Sequence, residues 1–79
     1  MTEDQKAMSL ILELLHAAKG VPVPAARLAA DAKYCGYRND LSGVLDLMEE
    51  RALIGRFPDP LGVRRYVMTP AGKEAFDAL

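Results

Sequence analysis

The chain has a single cysteine, so it holds no internal disulfide and no multi-cysteine zinc site. A reducing, cytoplasmic setting is the expectation. There is also a single histidine, His16. No Cys or acidic pair stands at ligand spacing from it, so it reads as a surface residue near a helix end and no metal centre is expected. No apolar run approaches the ~20 residues that cross a bilayer. Met1-Thr2-Glu3-Asp4 is acidic and polar, so neither a membrane partner nor a signal peptide is expected. Positive charge is not in excess: ten Lys and Arg face eleven Asp and Glu, a net charge of −1. That excludes a strongly basic nucleic-acid binder on bulk charge and leaves room for a local basic face. No Ser-His-Asp set, paired catalytic carboxylates or glycine-rich phosphate loop is present. The reading is therefore not an enzyme, with no cofactor.

What is there is an ordinary globular mixture, 51% apolar and 27% charged, rather than a disordered composition. The 79 residues read as a single domain, 1–79. A chain of this size buries only a little over ~60% of the surface it exposes when unfolded. A small core with no deep cleft follows.

Apolar residues recur at helical spacing from Asp4 to Ala18, as Ala7, Leu10, Ile11, Leu14, Leu15 and Ala18. Met8 and Leu12 widen that stripe. Thr2 or Asp4 caps its start and Lys19-Gly20 ends it. Val21-Pro22-Val23 reads as an extended edge segment, and Pro24 as the first position of a second helix, 24–33. Tyr34-Cys35-Gly36-Tyr37-Arg38 is a turn, with both tyrosines expected to pin it to the core and Cys35 expected to be small and buried. Asn39 is a good cap for a third helix, 39–51, with Leu41, Val44, Leu45 and Met48 on its apolar stripe. Residues 53–68 form a hairpin around Pro58-Asp59-Pro60-Leu61-Gly62. Thr69-Pro70 opens a last helix carrying Ala71, Ala75, Phe76 and Leu79.

This order gives the expected fold class: α+β, mainly helical, a winged helix-turn-helix. It comprises a three-helix core, a two-stranded wing hairpin and a C-terminal helix. The helix pair 24–33 and 39–51 is the helix-turn-helix.

The charges segregate along the chain. Residues 19–38 carry Lys19, Arg27, Lys33 and Arg38 against Asp31, a charge of +3. Residues 54–68 carry Arg56, Arg64 and Arg65 against Asp59, a charge of +2. The intervening residues 39–53 carry Arg51 against Asp40, Asp46, Glu49 and Glu50, a charge of −3. The two positive segments are the ones a winged helix turns toward its ligand.

Three stretches carry a resemblance. Leu47-Met48-Glu49-Glu50-Arg51-Ala52-Leu53-Ile54 is similar to the passage from recognition helix to first wing strand in MarR-type regulators, with Ala52 where glycine is more usual. Pro58-Asp59-Pro60-Leu61-Gly62-Val63-Arg64-Arg65 resembles that family's wing, and Met68-Thr69-Pro70-Ala71-Gly72 resembles its entry into the next helix. The resemblance implies a transcriptional regulator that binds double-stranded DNA. It departs in two ways. The chain spans only the bare winged-helix core, and its Tyr34–Arg38 turn is longer. The family's dimer and small-molecule pocket are therefore not carried over. Some MarR-type proteins sense oxidants with one cysteine, but Cys35 does not match that position.

A recognition helix reads base edges with residues near its N-terminus. Arg38 and Asn39 are the good readers, and Ser42 and Gly43 are small enough to allow close approach. Arg56, Arg64 and Arg65 on the hairpin, with Arg27 and Lys33 on the second helix, are the expected phosphate contacts. Alternation lets only one of Arg64 and Arg65 point fully at DNA. Two functions stay open. One is a small DNA-binding regulator, acting as a homodimer through the first and last helices. The other is a winged-helix interaction module or accessory subunit, suggested by the acidic third helix and the wide apolar stripe of the first.

Overall fold

The computed structural model describes residues 2–57 and 59–79, so the turn residue Pro58 lies outside the described residues. It is an α+β fold of four helices and one three-stranded antiparallel sheet. Helix α1 spans Glu3–Ala17, followed by strand β1 at Val23–Pro24 and helix α2 at Ala25–Tyr34. Helix α3 spans Leu41–Glu50, strands β2 and β3 span Ile54–Phe57 and Arg65–Met68, and helix α4 spans Pro70–Asp77.

Thr2 starts α1 with a capping box. Its hydroxyl accepts from the Gln5 N–H at 3.1 Å, and the Gln5 side chain accepts from the Thr2 N–H at 2.9 Å. The helix presents Ala7, Ile11, Leu12 and Leu15 to the core. Leu12, expected at the margin, is fully inside, while Leu10 and Leu14 are only half-buried. The cause is cover from several sides: α1 packs against α2, α3, α4 and β3. Lys19 (φ 54°) and Gly20 (φ 87°) both take left-handed conformations to turn the chain out of the helix.

The hairpin acquires a third strand. Val23 pairs with Tyr66 and Pro24 with Arg65, so the sheet order is β1-β3-β2 and β3 is central. Proline is tolerated because β1 is an edge. Pro24 belongs to β1 and stands just before α2 rather than at its first position, and it offers no side-chain cap. The Ala25 N–H instead donates to the Arg64 carbonyl at 2.9 Å, which ties the start of α2 to the hairpin. The core gathers Ile11, Leu28, Met48 and Tyr66 at its centre.

Thr69 holds the far end together. It is the N-cap of α4, accepting from the Gly72 N–H at 3.0 Å, with Pro70 in the first turn. Its hydroxyl donates to the Ala52 carbonyl, and its N–H donates to the Leu53 carbonyl at 3.2 Å. Gly72 is buried there. A Cβ at Gly72 would run into the Leu53 carbonyl and stand 3.0 Å from Met68 Cγ.

Candidate nucleic-acid interface

The turn between α2 and α3 is anchored by one tyrosine, not two. Tyr37 is 9% exposed, and its Oη donates to Asp4 Oδ1 at 3.0 Å. Burial and the Asp4 carboxylate both push its hydroxyl pKa up. Tyr34, expected to pin the turn as well, is 92% exposed, because it closes α2 on the helix's solvent side. Cys35 is likewise exposed rather than buried, since it occupies the C-cap where the chain leaves the helix. Gly36 follows at φ 97°, the left-handed conformation that the tight reversal needs.

Asp40, not Asn39, caps α3. Its carboxylate accepts from the Ser42 N–H at 3.0 Å, and that bond holds the Asp40 carboxyl below the usual carboxylate range. The helix begins at Leu41, one residue after the cap, because Leu41 is the first side chain driven into the core. Asn39 thus stands outside the helix, exposed in the turn. With Lys33, Tyr37, Arg38 and Asp40 it lines a groove of about 610 Å³ between the end of α2 and the start of α3. Lys33, Arg38 and Asn39, predicted separately from the sequence, therefore meet in one place. Ser42 and Gly43 follow on the solvent-exposed face of α3, with nothing near the space a Gly43 Cβ would take.

The hairpin arginines divide. Arg56 donates from Nε to Glu49 Oε1 at 2.7 Å and stands 3.8 Å from Asp46 Oδ1, so it is spent on the outer face of α3. Arg65 donates from Nε to Asp59 Oδ2 at 2.9 Å, while the other Asp59 oxygen accepts from the Leu61 N–H at 2.8 Å. Those two bonds keep the Asp59 carboxyl below its ordinary range, Arg65 contributing most. They also shape the hairpin turn. Arg64 is exposed and makes no ion pair among the described residues; it stands just before β3, so strand alternation, from which its direction was expected, does not apply to it.

Arg27 and Lys33 are exposed, but they do not share a side of α2. Six residues at about 100° each leave them about 120° apart around the axis. Arg27 lines a different groove, with Asp31 and the Val21–Pro24 segment. The Ala25–Arg64 backbone bond brings Arg64 to that same end of α2. The unpaired cations of the predicted interface thus fall into two groups, Arg27 with Arg64 near the start of α2 and Lys33 with Arg38 at its end. The helix between them is about 15 Å long.

Two features escaped sequence reasoning. Tyr66 Oη is buried with no well-formed hydrogen bond among the described residues, although the Arg64 guanidinium lies near it, and burial raises its pKa. Phe57, Leu61 and Val63 expose apolar surface along the hairpin, Leu61 at 88%. The turn composition around Leu61 was visible, but the Asp59 carboxylate that holds its backbone N–H was not. No group of His, Cys, Asp and Glu that could hold a metal occurs among the described residues. No described helix is long and apolar enough to cross a membrane. Comparison with protein families, curated proteins and solved structures found no match to this chain.

Proposed function

We propose that this is a winged helix-turn-helix protein that binds double-stranded DNA, with α2 and α3 as the helix-turn-helix and β2–β3 as the wing. The element order, with β1 joining the hairpin, supports the fold reading. The resemblance of three segments to MarR-type regulators fits it. One observation carries the function: Lys33, Arg38 and Asn39 converge on the groove at the start of α3, beside the small exposed residues Ser42 and Gly43. In this reading Arg38 and Asn39 meet base edges, and Lys33, Arg27 and Arg64 meet phosphates. Arg56 and Arg65 act indirectly, as braces of the wing. In this reading its role is transcriptional regulation, as the resemblance implies. A homodimer through α1 and α4 presents two copies to two half-sites.

The test is fluorescence polarisation with a mixed-sequence duplex over a salt series. Each phosphate contact contributes a slope of about −0.9 in log K against log salt. Three phosphate contacts, from Lys33, Arg27 and Arg64, allow a slope near −2.7, so affinity falls roughly 40-fold between 50 and 200 mM salt. Lys33→Ala with Arg27→Ala lowers the slope by about 2. No binding at tens of micromolar in low salt removes the proposal.

A second reading has its own observation. Phe57, Leu61 and Val63 are exposed on the hairpin, while Asp46 and Glu50 are exposed on α3. An apolar wing beside an acidic helix suits a protein partner, and an interaction module needs no DNA. Loss of partner capture on Leu61→Ser, in a chain that ignores duplex, would favour it.

A further inference from the structure

A third cationic groove stands apart from the residues assigned to DNA. It lies between the last turn of α1 and the β3–α4 junction, with a volume of about 620 Å³. Met68 and Pro70 give it an apolar floor above the buried Leu15, and His16, Lys19 and Lys73 line it as well. His16 is held in place by stacking on Phe76, with ring centroids 4.6 Å apart. Lys19 is fixed in a left-handed turn at φ 54° immediately before Gly20. Neither lysine makes an ion pair among the described residues.

What distinguishes this groove is its charge. The grooves at Arg27, at Lys33 with Arg38, and at Lys6 each include an acid: Asp31, Asp40 and Glu3. No aspartate or glutamate lines the groove of Lys19 and Lys73. Two unmatched cations beside an apolar trough are complementary to one chemistry, apolar side chains flanked by carboxylates. A backbone polyanion such as DNA matches the lysines but not the floor formed by Met68 and Pro70.

We infer that this groove docks an acidic, amphipathic peptide segment of a partner protein. Leucine-type side chains pack on Met68 and Pro70, and carboxylates pair with Lys19 and Lys73. The site shares no residue with the DNA-binding set, so it stands whether or not the chain binds duplex.

The test uses the whole chain and two fluorescein-labelled twelve-residue peptides. One carries leucine at helical spacing with glutamate between, and the other has lysine in place of every glutamate. The acidic peptide is expected to bind and to shift the Met68 methyl resonance. Lys19→Glu with Lys73→Glu weakens it by about tenfold, the scale of two exposed ion pairs, and improves the lysine peptide. Both substitutions are at exposed positions, and swapping the peptide's charge leaves the protein's own fold untouched. Equal affinity of the acidic peptide for the two proteins overturns the inference. So does binding of neither peptide, or a Met68 shift produced by duplex DNA instead.

Discussion

Replacing Ala52 with glycine should stabilise this protein. Ala52 follows the C-cap of α3 and takes φ 59°, a left-handed conformation that places an ordinary Cβ against its own carbonyl. That costs about 1–2 kcal/mol for an L-residue other than glycine. The junction enforces the conformation, because the Ala52 and Leu53 carbonyls both accept from Thr69. Glycine relieves the strain but adds freedom to the unfolded chain, at a cost of about 0.4–1 kcal/mol. The net gain is about 0.5–1 kcal/mol. For a domain of this size that raises Tm by roughly 2–8 °C. Urea unfolding followed by far-UV circular dichroism should show a higher midpoint at unchanged slope. The mirror substitution, Gly72→Ala, drives a methyl into the Leu53 carbonyl at the same junction and should cost about 2–3 kcal/mol. A midpoint that fails to rise in Ala52→Gly, or an unaffected Gly72→Ala, refutes this account of the helix-to-sheet passage.

Further outcomes can be measured in the same way. Tyr66→Phe removes a buried hydroxyl with no well-formed hydrogen bond, so stability should hold or rise by about 1 kcal/mol in a thermal melt. Thr69→Ala removes the cap of α4 and the link to Ala52, and the urea midpoint should report a loss of about 1–2 kcal/mol. The folded-state pKa of Asp59 lies below the unfolded value, so its contribution is complete above about pH 4 and fades as pH falls through the folded pKa. An NMR titration of the Leu61 amide should therefore have its midpoint below ~3.9, and Asp59→Asn should abolish the transition.

The helices were legible because each announces itself locally. Ala7, Ile11 and Leu15 recur at the helical period, and Thr69-Pro70 pairs a cap with a first-turn proline. What stayed hidden depends on partners distant in sequence. Strand β1 has two residues and a proline, and it exists because β3 offers it a pairing edge. Asn39 and Asp40 are equally good caps by type, and the seating of Leu41 chose between them. Tyr37 reaches back to Asp4, whereas Tyr34 in the same turn finds nothing to cover it. Of the candidate interface, the meeting of Lys33, Arg38 and Asn39 follows from chain proximity. The diversion of Arg56 and Arg65 into ion pairs does not, since alternation gives only the side a residue takes and never its distance from an acid.

The contact of Arg56 with Glu49 and Asp46 reaches beyond the sheet. It supplies α3 with a resident counter-ion, tethered through the backbone of β2. Dissolved cations cannot be stripped from that spot when a ligand arrives, because the neutralising charge belongs to the protein. The acidic helix can thus face a negatively charged surface with less repulsion than its composition suggests, and Arg56→Gln would unmask two carboxylates in a single step.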